Sequence, residues 1–298
     1  MFMKSGTFAK KAPASIFLLA LGFTISLSSA LGPPAQAAPA NKTNANEVKL
    51  SYDVHGAGFK LMTVDIDIML NGNKYAAKSD LKTVGFAKLF TAIKAKYEAN
   101  GTFSKTRFKP AHFTMETKKK KKRRSSTVSW NKRGMPKMAA KPPIKEGREK
   151  AVLKTLRTGM PDPLTTMLTL MLNGGKSPCK LTRLVLDGRK IFELKVSYSK
   201  QVEVKSKDSK LYQGKAFHCI IKDRPVAGYS KKTMAKIITK PKPPFNIWLV
   251  PVTEQSLKRN FLVPLFVTGP TNFADITVRL TKALINGKSL KSLSLASN

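Results

Sequence analysis

The sequence predicts a mainly β protein, a β-rich α+β fold in which a strongly curved antiparallel sheet or open barrel surrounds one buried helix. Apolar and polar residues alternate with a period of two over much of the chain, and turn-forming residues separate these segments. One segment combines helical apolar spacing with an absence of charge. A flat sheet of so many strands would curl or split, so the strands are expected to wrap around that helix.

Hairpin signals organise the first part of the chain. Apolar and polar residues alternate from Val48 to Tyr52 and again over residues 62–70. Gly56-Ala57-Gly58 and Asn71-Gly72-Asn73 interrupt the alternation with residues typical of hairpin turns, so an antiparallel meander is predicted. The elements predicted next are strands at 74–83, 95–103, 112–117 and 125–130, and a short amphipathic helix that contains Phe86, Leu89, Phe90 and Ile93.

The segment 131–147 differs from its surroundings in composition. It is rich in glycine, proline and lysine and poor in apolar residues, so it is predicted to be a long exposed basic connection and a candidate for a mobile flap. Further along, Asp187-Gly188 is a strong turn signal between two alternating segments. The strands predicted in this second part are 181–186, 189–198, 201–205, 215–222, 245–252, 261–267 and 275–284.

The predicted buried helix has clear start and stop signals. Asp162 is suited to the N-cap, Pro163 to the first helical position and Gly174-Gly175 to the C-terminal end. The segment between them contains no charged residue, which is typical of a helix buried on most sides. Its side chains either form an ordinary core or line a cavity for an apolar ligand, since methionine suits adaptable contacts. The apolar positions are Leu164, Met167, Leu168, Met171 and Leu172.

Residues 1–37 have the organisation of an export signal. A start that contains lysine precedes an apolar run at 16–27, and Ala35-Gln36-Ala37 offers small residues to a signal peptidase. The apolar run is too short to span a bilayer as a mature helix, so we expect cleavage near Ala37 and no transmembrane segment afterwards. The expected location is the periplasm, with secretion beyond the outer membrane left open.

The remaining chain is long enough for one large domain with a substantial core. Residues 38–46 are small and polar and are predicted to form a flexible tether. Residues 47–285 are predicted to form a single β-rich domain, and residues 286–298 a C-terminal tail. The sequence does not indicate an oligomeric state.

The charge of the chain is extreme. Its 55 lysines and arginines face 17 acidic residues, a formal net charge of +38. Such a field attracts polyanions, which outside the cytoplasm are lipopolysaccharide, anionic lipid head groups and acidic polymers rather than nucleic acid. A general adaptation of the surface for solubility or habitat is the alternative.

One run of cations concentrates this charge, and we call it the cationic tract. It either binds anions or forms a solvated hairpin tip that protects a sheet edge from aggregation. Aromatic residues are not interleaved with it, so the stacking platform of a single-strand nucleic-acid binder is missing. The tract consists of Lys118, Lys119, Lys120, Lys121, Lys122, Arg123 and Arg124.

The chain has two cysteines, Cys179 and Cys219. An even number of cysteines in an exported protein indicates a disulfide, here closing a loop of about 40 residues. A metal site on the same thiols is the competing interpretation, because His218 is adjacent to Cys219. Neighbouring residues on a strand point to opposite faces, so His218 and Cys219 would not reach one metal ion without a bulge. We therefore expect no metal and no cofactor.

The common catalytic signatures are missing from the sequence. It has no Gly-x-Ser-x-Gly and no His-Glu-x-x-His motif. Gly174-Gly175-Lys176-Ser177 lacks the first glycine of a P-loop and follows a helix instead of a strand. Asp65 and Asp67 share a strand face, but lysines across the turn explain them as surface charge pairs. We expect a non-enzymatic protein with no catalytic residues; an unrecognised envelope enzyme is the alternative.

Several short motifs resemble a bacterial family of exported proteins, domain of unknown function 3108. The resemblance covers nearly all of residues 47–284. It implies a curved antiparallel sheet that embraces a helix, similar to envelope proteins that carry outer-membrane lipoproteins, and it supplies no catalytic residues. The motifs are the Tyr52-to-Leu70 hairpin pattern, Asp162-Pro163-Leu164, Asp187-Gly188-Arg189-Lys190 followed by Phe192, and Cys219 followed by Pro225-Val226-Ala227-Gly228-Tyr229.

Overall fold

A computed structural model describes residues 46–105, 107–172, 178–241, 243–254, 259–271 and 274–295. The predicted signal peptide, the tether up to residue 45 and the Gly174-Gly175-Lys176-Ser177 segment lie outside the described residues. No helix in the described ranges is both long enough and apolar enough to cross a bilayer.

The first half of the domain is a meander of antiparallel strands. Its elements are β1 (Asn46–Gly56), β2 (Phe59–Asn71), β3 (Lys74–Thr83), α1 (Ala87–Phe90), β4 (Ile93–Ser104), β5 (Arg107–Lys119), β6 (Lys122–Trp130) and β7 (Pro136–Lys141). Glycines with positive φ occupy the turns predicted at Gly58 and Gly72. Both hairpin turns were therefore predicted in the right place.

Two helices join this meander to a second one. They are α2 (Glu146–Thr155) and α3 (Pro163–Met171). The elements that follow are β8 (Leu181–Leu186), β9 (Ile191–Val204), β10 (Gly214–Ala227), α4 (Lys231–Thr239), β11 (Phe245–Glu254), β12 (Arg259–Pro270), β13 (Asp275–Ile285), β14 (Lys288–Ser289) and α5 (Leu290–Leu295). The two strands predicted at 189–198 and 201–205 are one continuous strand, β9.

The strands form one antiparallel sheet in which the two meanders lie side by side. The order is β7-β6-β5-β4-β3-β2-β1-β13-β12-β11-β10-β9-β8, and β14 pairs with β13. The first and last long strands join the halves, with Val48 opposite Ile285. The sheet does not close, because its edge strands β7 and β8 do not pair with each other.

The segment between α2 and α3 bridges these two edges. The indole Nε1 of Trp130 on β6 donates to the carbonyl oxygen of Met160 at 2.9 Å, and the backbone N–H of Leu186 on β8 donates to Pro161 at 2.9 Å. The hydroxyl of Ser126 on β6 also donates to the carbonyl of Asp187, in the β8–β9 turn, at 3.1 Å. Hydrogen bonds across the gap thus replace a missing strand ladder and hold the sheet in its curved form.

Helix α3 lies inside the curve. It contacts strands of both halves, including β4, β5, β8 and β12. Asp162 caps its N-terminus by accepting from the backbone N–H of Thr165 at 2.9 Å, and Tyr75 on β3 hydrogen-bonds the hydroxyl of Thr165 at 2.7 Å. Leu168 and Met171 are completely buried, each contributing about 1.5–3 kcal/mol through burial. The prediction of a curved antiparallel sheet around one buried helix is confirmed.

The predicted disulfide is present. Cys179 and Cys219 are bonded, with their Cα atoms 6.1 Å apart, and both are completely buried in a second apolar cluster formed largely by β8 to β12. His218 is positioned away from the sulfur atoms: its Nε2 lies 2.9 Å from Oδ1 of Asn246, and its ring stacks on Trp248. The β9–β10 pairing shifts register between His218 and Cys219, so the strict alternation assumed for these two residues is interrupted at this point.

Most residues of the connection predicted at 131–147 are exposed, as expected, but the connection has regular structure that was not predicted. Strand β7 occupies part of it and pairs with β6, from Trp130 opposite Pro136 to Ser125 opposite Lys141. Pro136 and Ile144 are buried, and α2 begins at Glu146. Backbone pairing at a sheet edge requires few apolar side chains, so the composition concealed the strand.

The prediction of a C-terminal tail at 286–298 is wrong for residues 288–295, and residues 296–298 lie outside the described residues. Lys288 and Ser289 pair with β13, α5 follows directly, and Leu290 is 1% exposed within the main core. Besides α5, helices α2 and α4 were not predicted: α2 buries Val152 alone, and α4 buries no side chain. Helix α2 is only weakly amphipathic and gives little periodic signal, whereas α4 is amphipathic but has only nine residues, too few to establish a periodic pattern.

Candidate functional site

A cavity of about 450 Å³ lies at the end of the sheet where the β5–β6 and β8–β9 turns approach α2 and α4. Its most distinctive feature is charge. Five cations from three separate segments line it, and we call it the cationic pocket. The five are Arg124 on β6, Lys145 and Arg148 at the start of α2, and Arg189 and Lys190 in the β8–β9 turn.

Strand alternation brings one member of the cationic tract into this pocket. Arg124 on β6 lies opposite the buried Thr117 on β5, so it shares the inner face of the sheet with Ser126. Arg123 lies opposite the exposed Lys118 on the outer face. Lys120, with φ 53°, forms the turn at the tip. The prediction of a hairpin tip is therefore correct, but the tract divides between two faces.

The β8–β9 turn positions two further cations. The Asp187 side chain closes the turn: its Oδ1 accepts hydrogen bonds from the backbone N–H groups of Arg189 at 2.8 Å and Lys190 at 2.7 Å. The Arg189 guanidinium donates to the carbonyl oxygens of Pro142 at 2.9 Å and Ser125 at 3.4 Å. Both partners are neutral carbonyls, so the guanidinium is held in place without a salt bridge, and the nearby Asp187 carboxylate offsets part of its charge through space.

Burial strengthens the electrostatic field of the pocket. Desolvation lowers the pKa of Lys190, and the cations Arg124, Arg189 and Arg148 lower it further, while Asp187 opposes them. Desolvation also lowers the pKa of Arg189 and raises the pKa of Asp187. The pocket therefore disfavours additional positive charge, and an anion would relieve the repulsion among its cations.

Neutral groups complete the lining. The Lys190 ammonium lies 5.0 Å from the ring centroid of Tyr229, and burial raises the pKa of that phenol, which keeps it uncharged. Ser230 caps α4 by accepting from the backbone N–H of Thr233 at 3.1 Å, and both residues line the cavity. The positive end of the α4 dipole thus faces the same space as the cations.

No salt bridge within the described residues involves any of the five cations. Charge-assisted hydrogen bonds from arginine and lysine to phosphate, sulfate or carboxylate oxygens are among the strongest that proteins make. The arrangement is therefore chemically suited to hold an anionic group.

The α3 side chains, predicted as a core or an apolar ligand site, lie elsewhere. Leu164, Leu168, Met171 and Leu172 belong to the main core cluster, and Met167 packs against it partly buried. None of the five lines the cationic pocket. These side chains form part of the apolar core around the helix.

The other sequence candidates have structural roles on the surface. Asp65 accepts from the hydroxyl of Ser51 at 2.7 Å, and Asp67 lies opposite Lys78 on β3. In the described part of the chain, no group of three or more histidine, cysteine, aspartate or glutamate residues is placed to hold a metal ion.

Sequence reasoning missed most of the pocket. Arg189, Lys190 and Tyr229 belong to the motifs quoted for the family resemblance, and nothing in those motifs assigned them to a site. Arg148 and Lys145 lie in segments where cations are common, so neither stood out. The signal that pointed to this region was the cationic tract, through Arg124.

Together, the fold and the pocket define a class: a mainly β protein whose open, curled sheet encloses a helix and bears a cationic pocket at one end. The family model described as "Protein of unknown function (DUF3108)" matches residues 50–281, so the chain belongs to that family.

Comparison with solved structures and curated proteins adds two findings. The fold is similar to a solved structure described as a beta-barrel-like protein of domain of unknown function DUF1849 from Brucella abortus. The sequences are 11% identical, the TM-score is 0.47, and the match covers 82% of this chain and 98% of that chain. No curated protein matches the sequence.

Proposed function

We propose that this protein is an exported, non-enzymatic component of the cell envelope that binds an anionic envelope ligand through the cationic pocket. The observation that carries the proposal is the convergence of five cations, without a carboxylate partner in a salt bridge, around a cavity of about 450 Å³. A cavity of this size falls within the range of ordinary small-molecule sites. The export signal predicted from the sequence of residues 1–37 supports the envelope location.

The ligand class follows from the donors. Guanidinium and ammonium groups, two hydroxyls and a helix N-terminus favour a phosphate or carboxylate group carried by a lipid or an acidic polymer. Packing around α3 favours placing the charged group, and not an acyl chain, inside the protein. Binding of an apolar chain within the curved sheet, the other function considered from the sequence, is accordingly less well supported.

Calorimetric titration of the mature protein tests the proposal. The probes are inorganic phosphate, pyrophosphate and short-chain phosphatidic acid, a soluble phosphate-bearing lipid. Arg148→Gln is the informative variant because its side chain lies on α2, is partly exposed and forms no salt bridge with a described residue. A lost charge-assisted hydrogen bond of about 1.5–3 kcal/mol predicts about 10- to 100-fold weaker binding.

The matched control is Lys154→Gln, which removes an exposed cation from the same helix outside the pocket. Its affinity for each probe is expected to equal that of the parent protein. Equal affinities for Arg148→Gln and the parent, or no binding of any probe, would contradict the proposal. Cell fractionation with detection of the processed N-terminus tests the envelope location separately.

A further inference from the structure

The end of the sheet that holds the cationic pocket also carries a cluster of exposed apolar side chains, none of which lines that pocket. Phe86 precedes α1, Leu89 and Phe90 lie in it, and Phe59 begins β2. Their exposed fractions are 61% for Phe59, 60% for Phe86, 74% for Leu89 and 67% for Phe90. We call this cluster the apolar corner.

The apolar corner is an organised surface. The ring centroids of Phe86 and Phe90 are 5.1 Å apart, and those of Phe59 and Phe86 are 6.4 Å apart. The backbone N–H of Val84 donates to Leu61 at 3.0 Å, which fixes the α1 segment to β2. Side chains held this way expose their apolar area while contacting one another, which is typical of a surface that meets another apolar phase.

A row of cations crosses the outer face of the sheet beside this corner. Strand register places Lys82 on β3 opposite Lys94 on β4, Lys94 opposite Lys118 on β5, and Lys118 opposite Arg123 on β6. Lys82, Lys94 and Lys118 are exposed, and none forms a salt bridge with a described residue. We call these four residues the cation row.

The cation row is unfavourable for the isolated protein. Like charges directly opposite on neighbouring strands repel each other. The row next to it on the same face alternates in sign, with Asp80 opposite Lys96 and Lys96 opposite Glu116. Neutralising carboxylates are thus present one row away, whereas Lys82, Lys94 and Lys118 lie opposite one another and form no salt bridge with a described residue.

The hairpin of the cationic tract connects the two features. The backbone N–H of Lys120 at its tip donates to the carbonyl of Ala92, directly after α1, at 3.1 Å. Apolar corner, cation row and hairpin tip therefore form one continuous surface at one end of the sheet.

We infer that this surface docks the protein on an anionic lipid bilayer. Phenylalanine and leucine side chains enter the interface between head groups and acyl chains, while lysines beside them contact anionic head groups. A second copy of the chain is a poorer occupant, because a symmetric contact would oppose one cation row to another. The inference goes beyond the proposed function and depends on different residues.

Vesicle sedimentation tests it. The vesicles contain phosphatidylcholine and phosphatidylglycerol in a ratio of about 7 to 3, with pure phosphatidylcholine for comparison. Each lysine near an anionic surface contributes about fivefold, so Lys82→Gln/Lys94→Gln/Lys118→Gln is expected to weaken binding on the order of 100-fold at low salt. The matched control replaces three exposed lysines at the opposite end of the sheet: Lys74→Gln, Lys109→Gln and Lys137→Gln.

The apolar part has its own variant. Phe86→Ser/Phe90→Ser is expected to weaken binding about tenfold or more, including at high salt where charge contacts are screened. Met69→Ser, which changes an exposed apolar side chain at the far end of β2, is the control. Circular dichroism and the urea midpoint verify that each variant is folded.

A direct readout of insertion uses Phe90→Trp. Lipids brominated on the acyl chains are expected to quench the fluorescence of this variant more than that of the parent protein, whose tryptophans are Trp130 and Trp248. The inference is overturned if the parent protein does not bind the anionic vesicles, which is the result expected if the surface instead meets an acidic protein. It is also overturned if Lys82→Gln/Lys94→Gln/Lys118→Gln binds the vesicles as strongly as its triple-lysine control. Arg148→Gln is expected to bind vesicles like the parent, which separates this result from the cationic pocket.

Discussion

Asp162, at the start of α3, is expected to make the stability of the folded protein depend on pH. The carboxylate is completely buried and accepts from the backbone N–H and the hydroxyl of Thr165. Burial raises its pKa from 3.8 to about 6, although these hydrogen bonds oppose the rise. Because the folded protein then binds more protons than the unfolded chain between these values, the free energy of unfolding falls as the pH rises through the window.

The magnitude follows from the two pKa values. The difference between 3.8 and about 6 corresponds to about 3 kcal/mol of stability lost above pH about 6. Asp162→Asn keeps an oxygen that accepts from Thr165 but carries no charge. It is expected to match the parent at pH about 4 and to be more stable by up to about 3 kcal/mol at pH about 7. Asp162→Ala, which removes the cap, is expected to be about 1–2 kcal/mol less stable than the parent at pH about 4.

Urea unfolding, followed by tryptophan fluorescence across this pH range, measures both effects. The difference between Asp162→Asn and the parent isolates this one group, because other titrating residues are common to both proteins. Asp208→Asn, which changes a partly exposed carboxylate that accepts from the backbone N–H of Lys205 in a turn, is the control. A difference between Asp162→Asn and the parent that is the same at pH about 4 and about 7 would refute the reasoning.

Three further predictions concern stability. Reduction of the disulfide is expected to lower the free energy of unfolding by about 4 kcal/mol in the chain-entropy model, and alkylation with mass spectrometry should label its cysteines only after reductant is added. Gly188 and Gly58 have nearly the same φ, 80° and 81°, but an added Cβ would lie 2.6 Å from Oγ of Ser126 at Gly188 and in open space at Gly58. Gly188→Ala should therefore destabilise the fold far more than Gly58→Ala, for which a loss of about 1 kcal/mol is expected. Equal urea midpoints for the two variants would contradict this. Leu168→Ala, at a completely buried site on α3, should cost about 2–5 kcal/mol by the same assay, and a loss below 1 kcal/mol would count against close packing around the helix.

The parts of the fold that depend on local signals could be predicted from the sequence. Asn71-Gly72-Asn73 and Asp187-Gly188 each mark a turn because their backbone conformations favour glycine. The cap at Asp162 marks the start of α3 because a side-chain oxygen there satisfies a free N–H group. These signals act over a few residues, so one sequence is enough to read them.

Features that depend on distant partners could not be read in this way. β7 is held by backbone bonds to β6, and α5 is placed by a contact of Leu290 with the core. The cationic pocket is assembled from Arg124, Arg148 and Lys190, which are far apart in the chain and resemble many other cations in a lysine-rich sequence. Their significance appears only when the curved sheet brings them together.

The pairing of β1 with β13 has a consequence for how the chain folds as it is made. Synthesis proceeds from the N-terminus, so the first meander is complete long before β13 has been made and Ile285 can pair with Val48. During that interval one side of β1 presents unpaired N–H and C=O groups, an edge that invites pairing with another chain. The last long strand therefore seals the most vulnerable edge of the nascent protein, and a truncation before β13 would leave that edge permanently open.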